Sequence, residues 1–211
     1  FGNDALLISY TYDNRGRMTG GTAVLNNTYT ASFTKSYDDL GKLTGVTYGN
    51  GVSQTYQYTI QGWQTISQAT LNGNNIYSQE LRYYNPALGA AALYGGNISE
   101  WSTRQGTDAQ STYLMEYDNT GRLTGAMRHH NSLTTDFTYT ERGISYDANG
   151  NIVTLKRYGQ SGTTPLNDLS YTYIGNKLSS INDLRGGGTS TFSYDANGNM
   201  TSHGQRGLQL L

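Results

Sequence analysis

The 211-residue sequence contains no cysteine and only 2 prolines. No disulfide can therefore link its strands or loops, although the lack of cysteine does not identify a compartment. No apolar run approaches the roughly 20 residues that a membrane-crossing helix needs. The N-terminus also lacks the basic segment and hydrophobic stretch of a secretory signal peptide. The sequence as given predicts no membrane span.

Charge is scarce and nearly balanced, with 14 basic residues, 15 acidic residues and a formal net charge of -1. Nucleic-acid recognition normally needs a basic face, so this composition argues against a nucleic-acid partner. Large aliphatic residues are also few, as in disordered chains, but disorder of that kind needs high net charge and few aromatics. The 19 tyrosines supply the missing apolar surface. We therefore predict a folded chain with a tyrosine-based core.

One unit recurs along the chain, and its clearest copy is Tyr-Asp-Asn-Thr-Gly-Arg-Leu-Thr at residues 117–124. Asp at the first position of a type I turn accepts backbone N–H bonds, and Gly at the fourth takes the left-handed conformation. The unit is thus a β-hairpin tip, in which Tyr117 lies across from Leu123. On the other face, Asp118 forms an exposed pair with Arg122.

Further copies keep the tyrosine and its aliphatic partner. The predicted tips comprise Tyr12, Asp13, Gly16; Tyr37, Asp38, Gly41; Tyr117, Asp118, Gly121; Tyr146, Asp147, Gly150; and Tyr194, Asp195, Gly198. The last two replace the basic residue with Asn. Weaker copies are 58–63, 94–98 and 173–178, the last with a two-residue Gly-Asn turn that keeps Tyr173 opposite Leu178.

The spacing of the tips predicts the fold. Successive tip tyrosines are 25, 21, 36, 23, 29, 27 and 21 residues apart, at Tyr12, Tyr37, Tyr58, Tyr94, Tyr117, Tyr146, Tyr173 and Tyr194. Two short strands and two turns fill such a period. We predict an all-β protein of consecutive antiparallel β-hairpins. Its roughly 16 strands should form a curved or spiralling single-layer sheet, because open sheets rarely exceed about 10 strands without curling.

We expect residues 1–211 to be a single array, with a bend or irregular segment at 83–100. That segment lies in the longest gap, where Pro86 and several alanines allow either a short helical turn or an extended loop. The chain starts at Phe1 without Met and stops at Leu211 where another strand begins. It is therefore interpreted as a fragment of a longer protein.

The repeated Tyr-Asp-x-x-Gly-Arg/Asn-Leu/Ile/Met-Thr signature resembles the YD repeat of Rhs-family proteins, especially the Tyr-Asp-Ala-Asn-Gly-Asn copies at 146–151 and 194–199. The resemblance covers nearly the whole chain. It implies a long β-strip that spirals into a hollow shell in secreted or surface-attached bacterial proteins, often around a C-terminal toxin. Related repeats occur in insecticidal toxin complexes and teneurins. The self-cleaving core and the toxin domain of complete members have no counterpart here, so no residue inherits a catalytic role.

Other chemistry has weaker support. Arg128-His129-His130 could ligate a metal, but few histidines accompany it and a solvated strand face explains it better. The Asp147 and Asp195 tips resemble calcium loops, yet their Gly is fourth rather than sixth. Ser202-His203 is a poor basis for a serine hydrolase. We expect no enzyme activity, cofactor or metal.

Two functions remain open. In the first, the segment is architectural and forms part of a β-shell that encloses or presents a downstream core and toxin or effector region of its own polypeptide. In the second, exposed aromatics, with Trp63 and Trp101 as the candidate stacking residues, bind carbohydrate or a cell surface. Exposed strand edges also predict self-association.

Overall fold

The computed structural model describes residues 5–129, 137–160 and 162–204, and the backbone of 208–209. Within these ranges the chain forms seventeen strands and no helix. The first eight are β1 (Leu6–Tyr12), β2 (Met18–Leu25), β3 (Tyr29–Tyr37), β4 (Leu43–Tyr48), β5 (Val52–Tyr58), β6 (Gln64–Leu71), β7 (Asn74–Arg82) and β8 (Glu100–Gln105). The other nine are β9 (Ser111–Tyr117), β10 (Leu123–Arg128), β11 (Glu141–Tyr146), β12 (Ile152–Tyr158), β13 (Pro165–Ile174), β14 (Lys177–Asp183), β15 (Gly188–Tyr194), β16 (Met200–His203) and β17 (Leu208–Gln209).

Each strand pairs antiparallel with its neighbour in sequence, from β1 to β8 and again from β9 to β17. The predicted all-β fold of consecutive antiparallel hairpins is therefore confirmed. The chain divides into two compact units. One comprises the residues up to Asn85 with Leu93–Thr112, and the other comprises Pro86–Ala92 with the residues from Tyr113 onward. The curling of the strip and the bend at 83–100 stay predictions.

Within each unit the strand registers give two chemically different faces, because alternate residues of a strand point to opposite sides. The first, which we name the tyrosine face, carries Tyr10, Phe33, Val46, Tyr56, Leu81 and Trp101 in the first unit and Leu155, Leu169, Tyr171, Ile181 and Phe192 in the second. The second, the hydroxyl face, carries Ser9, Thr22, Thr34, Thr47 and Ser53 in the first unit and Ser145, Thr154, Ser170, Thr172, Ser180 and Thr191 in the second.

Side chains of the hydroxyl face bond to one another across strands. Ser9 Oγ and Thr22 Oγ1 are 2.6 Å apart, and Ser145 Oγ and Thr154 Oγ1 are also 2.6 Å apart. Thr–Ser hydrogen bonds of this kind each contribute roughly 0.2–1 kcal/mol to strand pairing. This face thus gains stability from polar pairs and needs no apolar cover.

The tyrosine face is only partly covered. Among the described residues the buried apolar side chains are Val46, Tyr83, Ile144 and Leu155, which are 6–8% exposed. Most tip tyrosines are half-buried. The predicted tyrosine-based core is therefore a half-covered face, in which the rings mainly contact neighbours in their own sheet.

The segment between Arg82 and Glu100 contains no strand and no helix, so the extended-loop interpretation is the correct one. The weak copy at 94–98 is not a hairpin tip, and that prediction was wrong. Gly96 there has φ 93°, and a Cβ on it would lie 3.2 Å from Cε2 of Trp63. This glycine therefore permits a close approach of the loop to the Trp63 ring and does not form the turn of a hairpin.

Candidate functional site

The five predicted tips share one backbone geometry. In each, the Asp N–H donates to the carbonyl four residues later at 2.9 Å, and the Gly N–H donates to the Asp carbonyl at 2.9–3.1 Å. The glycine φ angles lie between 76° and 89°, in the left-handed region. The structure places Tyr12, Tyr37, Tyr117, Tyr146 and Tyr194 opposite Met18, Leu43, Leu123, Ile152 and Met200 respectively.

The aspartate side chain closes each tip, as Asp118 shows. Its Oδ1 accepts hydrogen bonds from the Thr120 N–H at 2.9 Å, the Thr120 hydroxyl at 2.7 Å and the Arg122 N–H at 3.0 Å. Its Oδ2 accepts from Arg122 Nε at 2.7 Å. These bonds, led by the one from the Arg122 backbone, hold the pKa of Asp118 well below its usual range. In the Asp147 tip the amide of Asn151 replaces the guanidinium, donating to Oδ2 at 2.8 Å.

Two weaker copies form related turns. Thr59 takes the aspartate position in its tip, where its N–H donates to the Trp63 carbonyl at 2.7 Å and its Oγ1 accepts from the Trp63 N–H at 3.2 Å. Tyr173 lies opposite Leu178 across the shorter turn.

Consecutive tips are joined by their tyrosines. In five cases the tyrosine hydroxyl donates to the carbonyl of the residue that lies opposite the preceding tyrosine of the same unit. The bonds are Tyr37 to Met18 at 2.7 Å, Tyr58 to Leu43 at 2.9 Å, Tyr83 to Gln64 at 2.8 Å, Tyr146 to Leu123 at 2.6 Å and Tyr173 to Ile152 at 2.8 Å. We call this series of contacts the tip ladder.

A second contact links neighbouring tips in four places, where a basic residue that follows the turn lies over the next tip's tyrosine ring. Charge centre and ring centroid are 4.7 Å apart for Arg17 on Tyr37, 5.7 Å for Lys42 on Tyr58, 4.6 Å for Arg122 on Tyr146 and 5.8 Å for Lys177 on Tyr194. Arg122 Nη1 also donates to the Asp147 carbonyl at 3.3 Å. A cation over a ring contributes about 0.5–1 kcal/mol at exposed sites.

Trp63 occupies the position that Arg17 and Arg122 hold in their tips. Its ring centroid lies 5.1 Å from that of Tyr83, with the planes tilted by 42°. Trp63 thus packs on the next tyrosine of the ladder, with the Gly96 backbone also close to its ring. Trp101, the other candidate stacking residue, is half-buried and lies opposite Leu81 on the tyrosine face.

Tyr83 is the member of the ladder that the motif did not identify. The residues after it are Tyr84, Asn85 and Pro86, so neither the Asp nor the Gly of the unit follows. The spacing was the available signal, because Tyr12, Tyr37, Tyr58 and Tyr83 are 25, 21 and 25 residues apart. Tyr83 rather than Tyr94 therefore continues the period.

The other candidate chemistry is placed as follows. His203 stacks on Phe192 with ring centroids 4.9 Å apart, while Ser202, its neighbour in β16, points to the opposite face. His130, part of the Arg128-His129-His130 segment that was weighed as a metal site, lies outside the described residues. Within the described ranges no group of three His, Asp or Glu could hold a metal ion.

Replacing Gly150 with Ala is expected to lower the free energy of unfolding by about 1–2 kcal/mol, because its left-handed φ of 87° disfavours a side chain. A Cβ at this position would meet nothing within 4 Å, so the loss of stability would come from the backbone conformation alone. Gly95 is also unobstructed and lacks a positive φ, which makes Gly95→Ala the matched control with little expected effect. Urea denaturation measures both, and equal effects would contradict the tip geometry.

Acid is expected to weaken the tips through Asp13, Asp118, Asp147 and Asp195. Their pKa values are lowered chiefly by hydrogen bonds from the residue four positions later. The unfolded carboxyls titrate near pH 3.9, so the stabilisation is complete above about pH 4 and is lost as pH falls through the folded values. The urea concentration at the unfolding midpoint should therefore decrease as the pH is lowered below about 4. Asp147→Asn removes one of these carboxyls, so the urea midpoint of this variant should depend less on pH. An equal dependence on pH in the variant and the unaltered chain would contradict the role of the aspartates.

No helix in the described part of the chain is long and apolar enough to cross a membrane. A search of curated proteins finds no match. Three solved structures are similar at low TM-scores. A porin-like protein from Bacteroides uniformis is 15% identical over 96% of this chain and 84% of that chain, with a TM-score of 0.36.

The other two solved structures are toxin complexes. The TcdB2-TccC3-TEV complex is 15% identical over 94% of this chain, with a TM-score of 0.23. The Photorhabdus luminescens Tc holotoxin pore is 14% identical over 93% of this chain, with a TM-score of 0.24. This chain spans 15% of each of those two.

The family model described as RHS Repeat matches residues 37–73, from the Tyr37 tip through the Thr59 tip to the return turn at Gly73. That range contains one complete rung of the tip ladder, the bond from Tyr58 to Leu43. Residues 37–73 are therefore an RHS repeat, which confirms the resemblance to the YD-repeat proteins of the Rhs family.

Proposed function

We propose that this chain is a non-enzymatic structural segment of a secreted or cell-surface bacterial Rhs-type protein. In this proposal the segment is part of the wall of a β-shell, and the wall encloses or presents a C-terminal toxin or effector region of the same polypeptide. The tip ladder carries the proposal. The same bond from a tyrosine hydroxyl to a backbone carbonyl occurs five times. Such repetition favours a structural role for the whole segment over a single binding or catalytic site.

The two faces support this role through their different chemistry. The hydroxyl face satisfies its polar groups by bonds such as Ser9 to Thr22 and suits contact with water. The tyrosine face leaves apolar side chains such as Tyr10 and Tyr48 51% and 39% exposed. Contiguous exposed apolar surface marks contact sites for other polypeptide. We assign the tyrosine face to the enclosed side of the wall.

Neighbouring residues of β15 provide a test, because Ser190 lies on the tyrosine face and Thr191 on the hydroxyl face. The chain has no native cysteine, so Ser190→Cys and Thr191→Cys each introduce one thiol. Both thiols should react with a maleimide in the isolated segment. In the complete polypeptide that carries the segment, Thr191→Cys should stay reactive and Ser190→Cys should become protected. Equal labelling at both positions there would contradict enclosure.

Carbohydrate or cell-surface binding is the second candidate, and one observation favours it. Tyr84 and Tyr94 are stacked with centroids 6.0 Å apart and planes 13° apart, and Tyr94 is 76% exposed. An open aromatic ring can stack on a sugar. If this pair binds glycans, Tyr94→Ala should abolish signals on a glycan array while Trp101→Ala retains them. No binding by the unaltered chain would reject this candidate.

A further inference from the structure

The segment from Tyr83 to Ser99 connects β7 to β8 in place of a short tip, and hydrogen bonds hold its base together. Arg82 is paired with Glu100, and the buried Ser99 donates to the Arg82 carbonyl from its N–H at 2.7 Å and from its hydroxyl at 2.8 Å. Within the segment, the Leu93 N–H donates to the Tyr83 carbonyl at 2.9 Å. Two positions that are ten residues apart in the sequence are therefore fixed side by side.

The residues that follow the two ends of this bond are both tyrosines, Tyr84 and Tyr94. Their rings are stacked, with centroids 6.0 Å apart and planes 13° apart. Tyr84 is 37% exposed and Tyr94 is 76% exposed, whereas the adjacent Tyr83 is 6% exposed. A dissolved oxidant can therefore reach both rings of the stacked pair, while the ring of Tyr83 is shielded from it.

Two neighbouring phenols can be joined by oxidation. Removal of one electron and one proton from a phenol gives a phenoxyl radical, whose unpaired spin lies partly on the ring carbons beside the C–O bond. Two such radicals form a carbon–carbon bond between these carbons, each of which then loses its proton while the phenolic oxygen of its ring regains one. The product keeps both hydroxyls and has lost two hydrogen atoms in total. Hydrogen peroxide, acting through a haem peroxidase, takes up these two hydrogens and becomes two molecules of water.

We propose that Tyr84 and Tyr94 form an oxidative crosslinking site, at which a peroxidase and hydrogen peroxide join a Cε atom of one ring to a Cε atom of the other. The bond between the Leu93 N–H and the Tyr83 carbonyl holds the rings together before reaction, so coupling within one molecule should outpace coupling between molecules. The chain has no cysteine, so no disulfide can close this loop, and the bridge closes it between residues 84 and 94. Bridge formation requires neither of the functions proposed above.

Peptide mapping of dilute protein treated with a haem peroxidase and hydrogen peroxide tests for the bridge. Trypsin should release residues 83–104 as one peptide, because no Lys or Arg lies between Arg82 and Arg104. In the monomeric fraction, this peptide should weigh two hydrogen masses less than the same peptide from untreated protein. Elastase, which cleaves after alanine, should cut the peptide within residues 87–92 without separating its two parts.

Three variants identify the residues that react. Tyr84→Phe and Tyr94→Phe each keep the ring but remove the phenol, so each should abolish the joined peptide while keeping the circular dichroism and urea midpoint of the fold. Tyr29 is 73% exposed and lies outside this segment, so Tyr29→Phe is the matched control and should give as much joined peptide as the unaltered chain. An unjoined peptide in the oxidised monomer, a bridge that persists in either loop variant, or crosslinks found only between molecules would each overturn the proposal.

Discussion

Replacing Tyr83 with Ala is expected to lower the free energy of unfolding of the first unit by about 3–5 kcal/mol, the range for large aromatic truncations in cores. Tyr83 is 6% exposed, its ring contacts Trp63 at 5.1 Å, and its hydroxyl donates to the Gln64 carbonyl at 2.8 Å. Burial also raises the pKa of its hydroxyl. The substitution therefore removes a packed ring and leaves a backbone carbonyl without its donor.

Two companions separate the causes. Tyr83→Phe keeps the ring and should cost about 1 kcal/mol, the net value of one hydrogen bond. Tyr94 occupies the tip position that the motif suggested, yet it is 76% exposed, so Tyr94→Ala should cost less than about 1 kcal/mol. Chemical denaturation of the three variants measures the difference. An equal loss of stability in Tyr94→Ala and Tyr83→Ala would contradict the assignment of Tyr83 to the tip ladder. It would support Tyr94, which lies 36 residues after Tyr58, as the next tip tyrosine.

The second large effect is expected in the other unit, at Leu155. This side chain is 8% exposed and lies opposite Leu169 on the tyrosine face. Leu155→Ala should lower the free energy of unfolding by about 2–4 kcal/mol, because it removes buried methyl groups and leaves a cavity.

Leu166, on the adjacent strand β13, provides the matched control. It is 63% exposed, so Leu166→Ala should change the free energy of unfolding by no more than about 0.5 kcal/mol. Urea denaturation followed by circular dichroism measures both variants. Equal losses at Leu155 and Leu166 would mean that burial on the tyrosine face does not stabilise this unit.

Turn chemistry was predictable because it is local. Asp118 and Gly121 lie within one short segment, and the bonds that require them are made inside the same turn. The alternation of residues along a strand then fixes which side chains share a face. A reader of the sequence can therefore obtain the hairpins, the all-β class and the pairing of Tyr117 with Leu123 without the structure.

The contacts between tips were not predictable in the same way. In the sequence Arg122 looks only like an exposed partner of Asp118. Its contact with the Tyr146 ring could not be predicted, because that contact joins residues from different hairpins. The mistaken choice of Tyr94 has a similar cause. Its glycines satisfy the local pattern, whereas Tyr83 acts through the carbonyl of Gln64, which lies 19 residues earlier in the chain.

The partial exposure of the tyrosine face also escaped the sequence. Nineteen tyrosines predict much apolar surface, but composition cannot tell how much of it is covered. Tyrosine satisfies both conditions of such a face. Its ring packs along the sheet beneath residues such as Arg17, and its hydroxyl finds a carbonyl at the next tip.

The central claim is that neighbouring tips of the same unit are energetically coupled, and a double-mutant cycle between Arg122 and Tyr146 measures that coupling directly. Unfolding free energies of the unaltered chain, Arg122→Ala, Tyr146→Ala and the double variant should give an interaction energy of about 0.5–1 kcal/mol. A cycle between Arg122 and Tyr194, which belong to separate rungs, should give a value near zero. If the cycle between Arg122 and Tyr146 also gave zero, the tips would be independent hairpins and the ladder would contribute nothing to stability.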